Sequence, residues 1–219
     1  MKAILVHGMG RTPASFIVLA ARLRARGFRP SSFRYSAAFE RFVPCVDRLV
    51  ERVRARAGDD PYILIGHSLG TVLIRAALPA LAAHPPAVCF FLAPPVAASR
   101  AATFFAGRRL YRLLTGEMGQ LLADPAFMAA LPAPAVPTRI YAGTAGPRGR
   151  RFPFGFQPND GILAVSETEL PGQTPPILVP AIHSFIMNSA SVADDIERTV
   201  RALAAEPLSG GAGPPAAGR

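Results

Sequence analysis

The sequence predicts an α/β protein: a three-layer α/β/α sandwich around a mostly parallel sheet of about six strands. Three observations point there. Short apolar runs alternate along the chain with segments whose apolar residues recur at helical spacing. The chain has 219 residues, a length that suits one domain with a sizeable core. Half of its residues are hydrophobic and the mean hydropathy is +0.28, which excludes a disordered chain.

The elements follow in order. Residues 3–6 form the first strand. Thr12 and Pro13 then supply an N-cap and a proline at the first helical position. Phe16, Leu19, Ala20 and Leu23 recur at helical spacing, and Gly27 ends that helix. Residues 32–35 are the second strand. Over residues 43–53, Val46, Leu49, Val50 and Val53 share one face of a helix and arginines the other. Residues 62–65 are the third strand, which leads through Ser68 into a helix that stops near Pro79. Residues 88–92 are the fourth strand.

Residues 94–136 are less regular and rich in Ala, Phe, Leu and Pro, as suits a small cap-like segment. Residues 138–142 and 177–179 are the fifth and sixth strands. Ser191, followed three residues later by Asp194, signals the start of the last helix, with Val192, Ile196, Val200 and Leu203 on its apolar face. Residues 1–205 thus read as a single domain. The Gly-, Pro- and Ala-rich tail, 206–219, is expected to be disordered.

The formal charge is +10, and Lys2 is the only lysine among 24 basic residues. The arginines are scattered in groups over 22–29, 48–56, 108–112 and 148–151, with no nucleic-acid motif among them. They read as a solvated surface, and no nucleic-acid partner is expected. Cys45 and Cys89 make no disulfide framework, so a reducing compartment, the cytoplasm, is expected. The apolar run after Lys2 stops at His7-Gly8, too soon for a signal peptide. No run approaches the roughly 18 apolar residues of a membrane span.

Sites in parallel sheets form at the carboxyl ends of the strands. Four strand ends here carry chemistry. They are His7-Gly8-Met9-Gly10, Gly66-His67-Ser68-Leu69-Gly70, Asn159-Asp160-Gly161 and Ala181-Ile182-His183-Ser184. A G-x-S-x-G turn between strand and helix is a nucleophile elbow, which lifts the Ser68 hydroxyl above the sheet. Gly66 and Gly70 flank it because a β-carbon at either site would crowd neighbouring backbone. The Leu69 amide can donate to an oxyanion, and the Met9 amide is the candidate second donor.

A serine hydroxyl needs a base. Of the four histidines, His7 belongs to the first loop, His67 is read as turned away from the nucleophile, and His84 follows a helix far from the strand ends. His183 follows the last strand and is the candidate base. The acid must then lie between Ser68 and His183 in the chain. Asp160, in the tight turn nearest the fifth strand, is the candidate, and Glu167 is the alternative.

At Ile4-Leu-Val-His-Gly-Met-Gly10, Ile65-Gly-His-Ser-Leu-Gly-Thr71, Asn159-Asp-Gly161 and His183-Ser-Phe-Ile-Met187 the sequence resembles the α/β-hydrolase superfamily, in particular small bacterial lipases and esterases of minimal, about six-stranded type. The resemblance implies a serine hydrolase that cleaves carboxylic esters through an acyl-enzyme on Ser68, with no cofactor and no metal. Acyl-thioesterase and phospholipid deacylase are alternatives in the same class. A non-catalytic binding protein on the same fold is the alternative from another class. The substrate is expected to be a small-molecule or lipid-like ester, its acyl chain taken up by Phe104, Phe105, Leu110, Leu113 and Leu114. The basic and aromatic stretch 147–156 suits a weak contact with an anionic membrane surface.

Overall fold

The computed structural model describes residues 1–98 and 109–205, with side chains in the second stretch from Thr115 onward. The described strands are β1 (Lys2–Val6), β2 (Arg29–Phe33), β3 (Tyr62–His67), β4 (Val88–Leu92), β5 (Thr138–Gly143) and β6 (Ile177–Val179). They form one sheet in the order β2-β1-β3-β4-β5-β6, and every neighbouring pair is parallel. The chain steps from β1 outward to β2, then crosses back to β3 on the other side of β1. The loops after β1 and β3 therefore diverge and leave a crevice at the carboxyl end of the sheet.

Helices cover both faces: α1 (Ile17–Ala25), α2 (Phe42–Ala57), α3 (Leu69–Ala77), α4 (Arg109–Leu121), α5 (Pro125–Ala130) and α6 (Ala190–Ala205). Side chains alternate along each strand, so each strand feeds two cores. Ile4, Val6, Leu64 and Phe91 pack with Leu49 and Val53 of α2 and with Val72 and Leu73 of α3. Leu5, Ile63, Ile65 and Phe90 pack with Leu19 and Leu23 of α1 and with Val192 and Ile196 of α6. Burial on both faces explains why these strands are continuously apolar rather than alternating.

Some features differ from those read in the sequence. The second strand is Arg29–Phe33, not 32–35. It is an edge strand, and an edge tolerates Pro30 because one side of its ladder is unpaired. Tyr35 lies beyond it. The last helix starts at Ala190, so Ser191 is inside it and its hydroxyl pairs with that of Ser189 at 2.8 Å rather than capping the helix. Leu203, expected on the apolar face, is exposed in the last turn, past the edge of the core.

From Thr115 on, the segment expected to act as a cap contributes to the core: Met118, Leu122, Met128 and Leu131 are buried against α2 and α3. Phe104 and Phe105, expected to bind the acyl chain, the side chains of Leu110, Leu113 and Leu114, and the tail 206–219 lie outside the described residues.

Candidate active site

Ser68 sits between β3 and α3 at φ 51°, ψ −122°. A non-glycine residue at positive φ is strained, by about 1–3 kcal/mol, and persists only where its surroundings hold it. Here three bonds do so. The Ser68 amide donates to the Leu92 carbonyl at 3.0 Å, and the Ser68 carbonyl accepts from the Thr71 amide at 2.9 Å and from the Thr71 hydroxyl at 2.7 Å. The flanking glycines are steric necessities. A β-carbon on Gly66 would lie 2.9 Å from the Thr71 nitrogen, and one on Gly70 would overlap the Val6 carbonyl and come within 2.7 Å of the His7 oxygen. The elbow is thus pressed directly onto the end of β1. The N-terminus of α3 begins at Leu69, so its free amides and dipole favour negative charge there.

The loop after β1 runs beside the serine. A β-carbon on Gly8 would stand 3.1 Å from the Ser68 Cβ and 2.8 Å from the His67 Nδ1, so no side chain fits at position 8. Tyr35 braces this loop: its ring stacks on His7 at 4.3 Å and its hydroxyl donates to the His7 carbonyl at 2.7 Å. Met9 is half-buried, its side chain against the core. Neither the Met9 nor the Leu69 amide has an acceptor among the described residues.

His183 and Asp160 face one another. The His183 Nδ1 lies 2.7 Å from the Asp160 Oδ2, and both side chains are buried. The other carboxylate oxygen accepts the amides of Ile162 at 2.9 Å and Leu163 at 2.7 Å. The backbone closes the same pair, since the His183 amide donates to the Asp160 carbonyl at 2.9 Å. An ionised carboxylate only accepts, so Nδ1 carries the proton and the His183 Nε2 is left with a lone pair. Asp160 reaches this position although its loop leaves β5 well before it. The loop folds out and returns, and a β-carbon on Gly143, the last residue of β5, would lie 2.7 Å from the Asp160 Cβ. Asn159, fully buried, ties the return together through Pro147, Gln157 and Gly161. The alternative acid, Glu167, accepts the Ala164 amide at 2.8 Å in a 3-10 turn of its own.

His67 is the residue that sequence reasoning set aside. It does not leave the site. Its ring packs against that of His183 with centroids 4.9 Å apart, and its Nε2 lies 2.9 Å from the His183 carbonyl. Because a carbonyl only accepts, Nε2 carries the proton. Burial, and next the neighbouring His183, hold its pKa well below the ordinary 6.5, so the ring is neutral. Its position at the very end of β3, one residue before a turn, was the available signal. Arg11 adds a second tie from the first loop, donating to the Ser184 carbonyl at 3.3 Å.

The sheet, the elbow and these loop contacts define a hydrolase scaffold. The alpha/beta hydrolase family model matches residues 3–216, and the chain belongs to that family. No curated protein sequence matches it. Among solved structures it is similar to the metagenomic carboxyl esterase MGS0156, with 19% identity, a TM-score of 0.73, and coverage of 93% of this chain and 75% of that one. It is similar to the Bacillus licheniformis lipase BlEst2, with 14% identity, a TM-score of 0.65 and coverage of 91% of each chain. It is also similar to the phospholipase PlaB from Legionella pneumophila, with 17% identity and a TM-score of 0.63, over 77% of this chain but only 46% of that one. The chain therefore spans less than half of that phospholipase. At such identities the likeness establishes the fold.

Proposed function

We propose that the protein is a serine hydrolase of carboxylic esters, with Ser68 as nucleophile, His183 as general base and Asp160 as the acid that orients it. The observation that carries this reading is the buried 2.7 Å pair of His183 Nδ1 and Asp160 Oδ2. It stands at the same end of the sheet as a serine kept in a strained turn. The pair fixes the imidazole tautomer that leaves Nε2 free to take a proton from Ser68.

The chemistry then follows from the parts. The Ser68 Oγ attacks the ester carbonyl carbon while its proton passes to His183 Nε2. The imidazolium that forms is stabilised by the Asp160 carboxylate. The carbonyl oxygen becomes an oxyanion, held by the amides of Met9 and Leu69. Collapse expels the alkoxide, which takes the proton from His183. Water, deprotonated by His183, then attacks the acyl-enzyme and releases the acid and free Ser68. Each such amide is worth about 3–4 kcal/mol of transition-state stabilisation.

Among the described residues no helix is long and apolar enough to cross a membrane. Cys45 and Cys89 are buried and unpaired, which favours the cytoplasm as the working compartment. The test is hydrolysis of p-nitrophenyl esters from acetate to palmitate by the wild type and by Ser68→Ala, alongside labelling by a fluorophosphonate. A rate and a label that both vanish in Ser68→Ala support the reading. A fluorophosphonate label without ester hydrolysis redirects it to acyl-thioesters. Absence of both overturns it in favour of a binding protein on a hydrolase scaffold.

A further inference from the structure

The excursion between β5 and Asp160 has a construction of its own. Its tip is a tight, self-bonded turn: the Gly149 amide donates to the Gly155 carbonyl at 2.7 Å, and the Phe152 and Gly155 amides close two further 3.0 Å bonds within it. Phe154 is buried and anchors the turn, while Phe152 and Phe156 on either side are 45% and 72% exposed. Arg148, Arg150 and Arg151 are exposed beside them. No acidic residue occurs between Gly143 and Asn159. Among the described residues none of the three arginines has a carboxylate partner; Arg148 donates only to the Thr144 carbonyl.

Two exposed aromatic rings and three uncompensated cations, held on a rigid turn, do not serve the core. Phenylalanine exposed to water is unfavourable, and burial in an acyl layer reverses that. Arginine beside it matches anionic head groups, and its long apolar stem lets the charge stay at the interface. The turn is also continuous with the site, since the Gly146 amide donates to the Asn159 carbonyl at 2.8 Å and Asp160 follows. Ile162, two residues after Asp160, and Ile182, one before His183, are exposed as well.

We propose that the 147–156 loop is a docking element that seats the open end of the sheet on an anionic lipid surface, with Phe152 and Phe156 inserted and Arg148, Arg150 and Arg151 on the head groups. Its consequence for catalysis, delivery of a membrane-borne acyl ester to Ser68, rests on the ester-hydrolase reading; the docking itself does not.

The test uses the full chain carrying Ser68→Ala, floated with vesicles of phosphatidylcholine alone or of equal parts phosphatidylcholine and phosphatidylglycerol. Binding is expected only with phosphatidylglycerol and should weaken as salt rises. At about fivefold per arginine, Arg148→Gln/Arg150→Gln/Arg151→Gln should lower the partition coefficient by about a hundredfold. Phe152→Ser/Phe156→Ser should lower it by roughly tenfold or more. With Ser68 intact, both variants should cleave a soluble short-chain ester at the wild-type rate, which separates docking from catalysis. Absence of that soluble rate in the protein with Ser68 and the loop intact, with vesicle binding kept, would defeat the hydrolase reading and leave the docking surface standing. The proposal is overturned if the wild type binds neither vesicle, if either loop variant binds as the parent does, or if the loop variants lose binding to RNA while no vesicle is bound.

Discussion

The His67 imidazole donates through Nε2 to the backbone carbonyl of His183, so the residue before the candidate nucleophile holds the loop that carries the candidate base. Among the described residues no other β3 side chain bonds to that loop. Removing the donor should leave the fold intact and loosen the base. His67→Leu should lower kcat on a soluble ester roughly tenfold, the scale of one lost hydrogen bond, with little change in KM. His67→Gln places an amide donor near the same point and should stay within about threefold of wild type. Equal losses in both variants would show that ring packing, not the bond, is what matters.

The same ring should make the fold sensitive to mild acid. Burial, and then His183, hold His67 below 6.5, and burial lowers His7 although the Gly8 carbonyl opposes it. In the unfolded chain both return to about 6.5. Below that value the unfolded chain binds more protons than the native one, so stability must rise with pH. The contribution is complete above pH 6.5 and is lost as pH falls from there toward the native pKa values. Urea midpoints measured from neutral to mildly acid pH should fall, and the fall should be shallower in His67→Gln.

Asp160 and Glu167 are separable by substitution. Asp160→Asn keeps an oxygen for the Ile162 and Leu163 amides but turns an NH2 toward His183, which forces the wrong tautomer. Its kcat should drop by about a thousandfold to ten-thousandfold with the melting temperature little changed. Glu167→Gln can still accept the Ala164 amide and should keep nearly full activity. Steady-state kinetics of the two variants decide the assignment, and the reverse pattern would give the acid role to Glu167.

Strain at the elbow should be measurable as stability. Ser68→Ala keeps a β-carbon at φ 51° and therefore keeps the strain. Ser68→Gly relieves it, against a smaller entropic gain of the unfolded chain. Both variants should be inactive, and the glycine variant should be the more stable by about 1 kcal/mol in urea unfolding. If the alanine variant equals or exceeds it, the turn is not strained in the way its backbone angles imply.

Much of this was legible in the sequence for a physical reason. β1, β3 and β4 are buried on both faces, so they announce themselves as unbroken apolar runs, and the residues after them fall at the rim by topology. Ser68 became a candidate that way, and Asp160 and His183 became candidates as residues beyond β5 and β6. β2 was misplaced because an edge strand needs little hydrophobicity and admits Pro30, which reads locally as a breaker. Ser191 was taken for a cap because a Ser followed by an acid three residues on is a local pattern, and the chain entering α6 resolves one residue earlier. His67 reads from the sequence only as turned away from the nucleophile, because strand alternation says which way a side chain leaves the sheet and nothing of which loop it meets.

The excursion after β5 has one more implication. Asp160 is fixed by contacts at the two feet of that loop: Gly143 beneath its Cβ, Gly146 on the Asn159 carbonyl, and the Asn159 side chain on Pro147. None of those anchors involves the tip. Doubling the length of such a closed loop adds only about 0.6 kcal/mol of closure entropy. The stretch between Pro147 and Gln157 is therefore a graft site, where a foreign hairpin could be spliced in to give the scaffold a new address while the carboxylate below stays where it is.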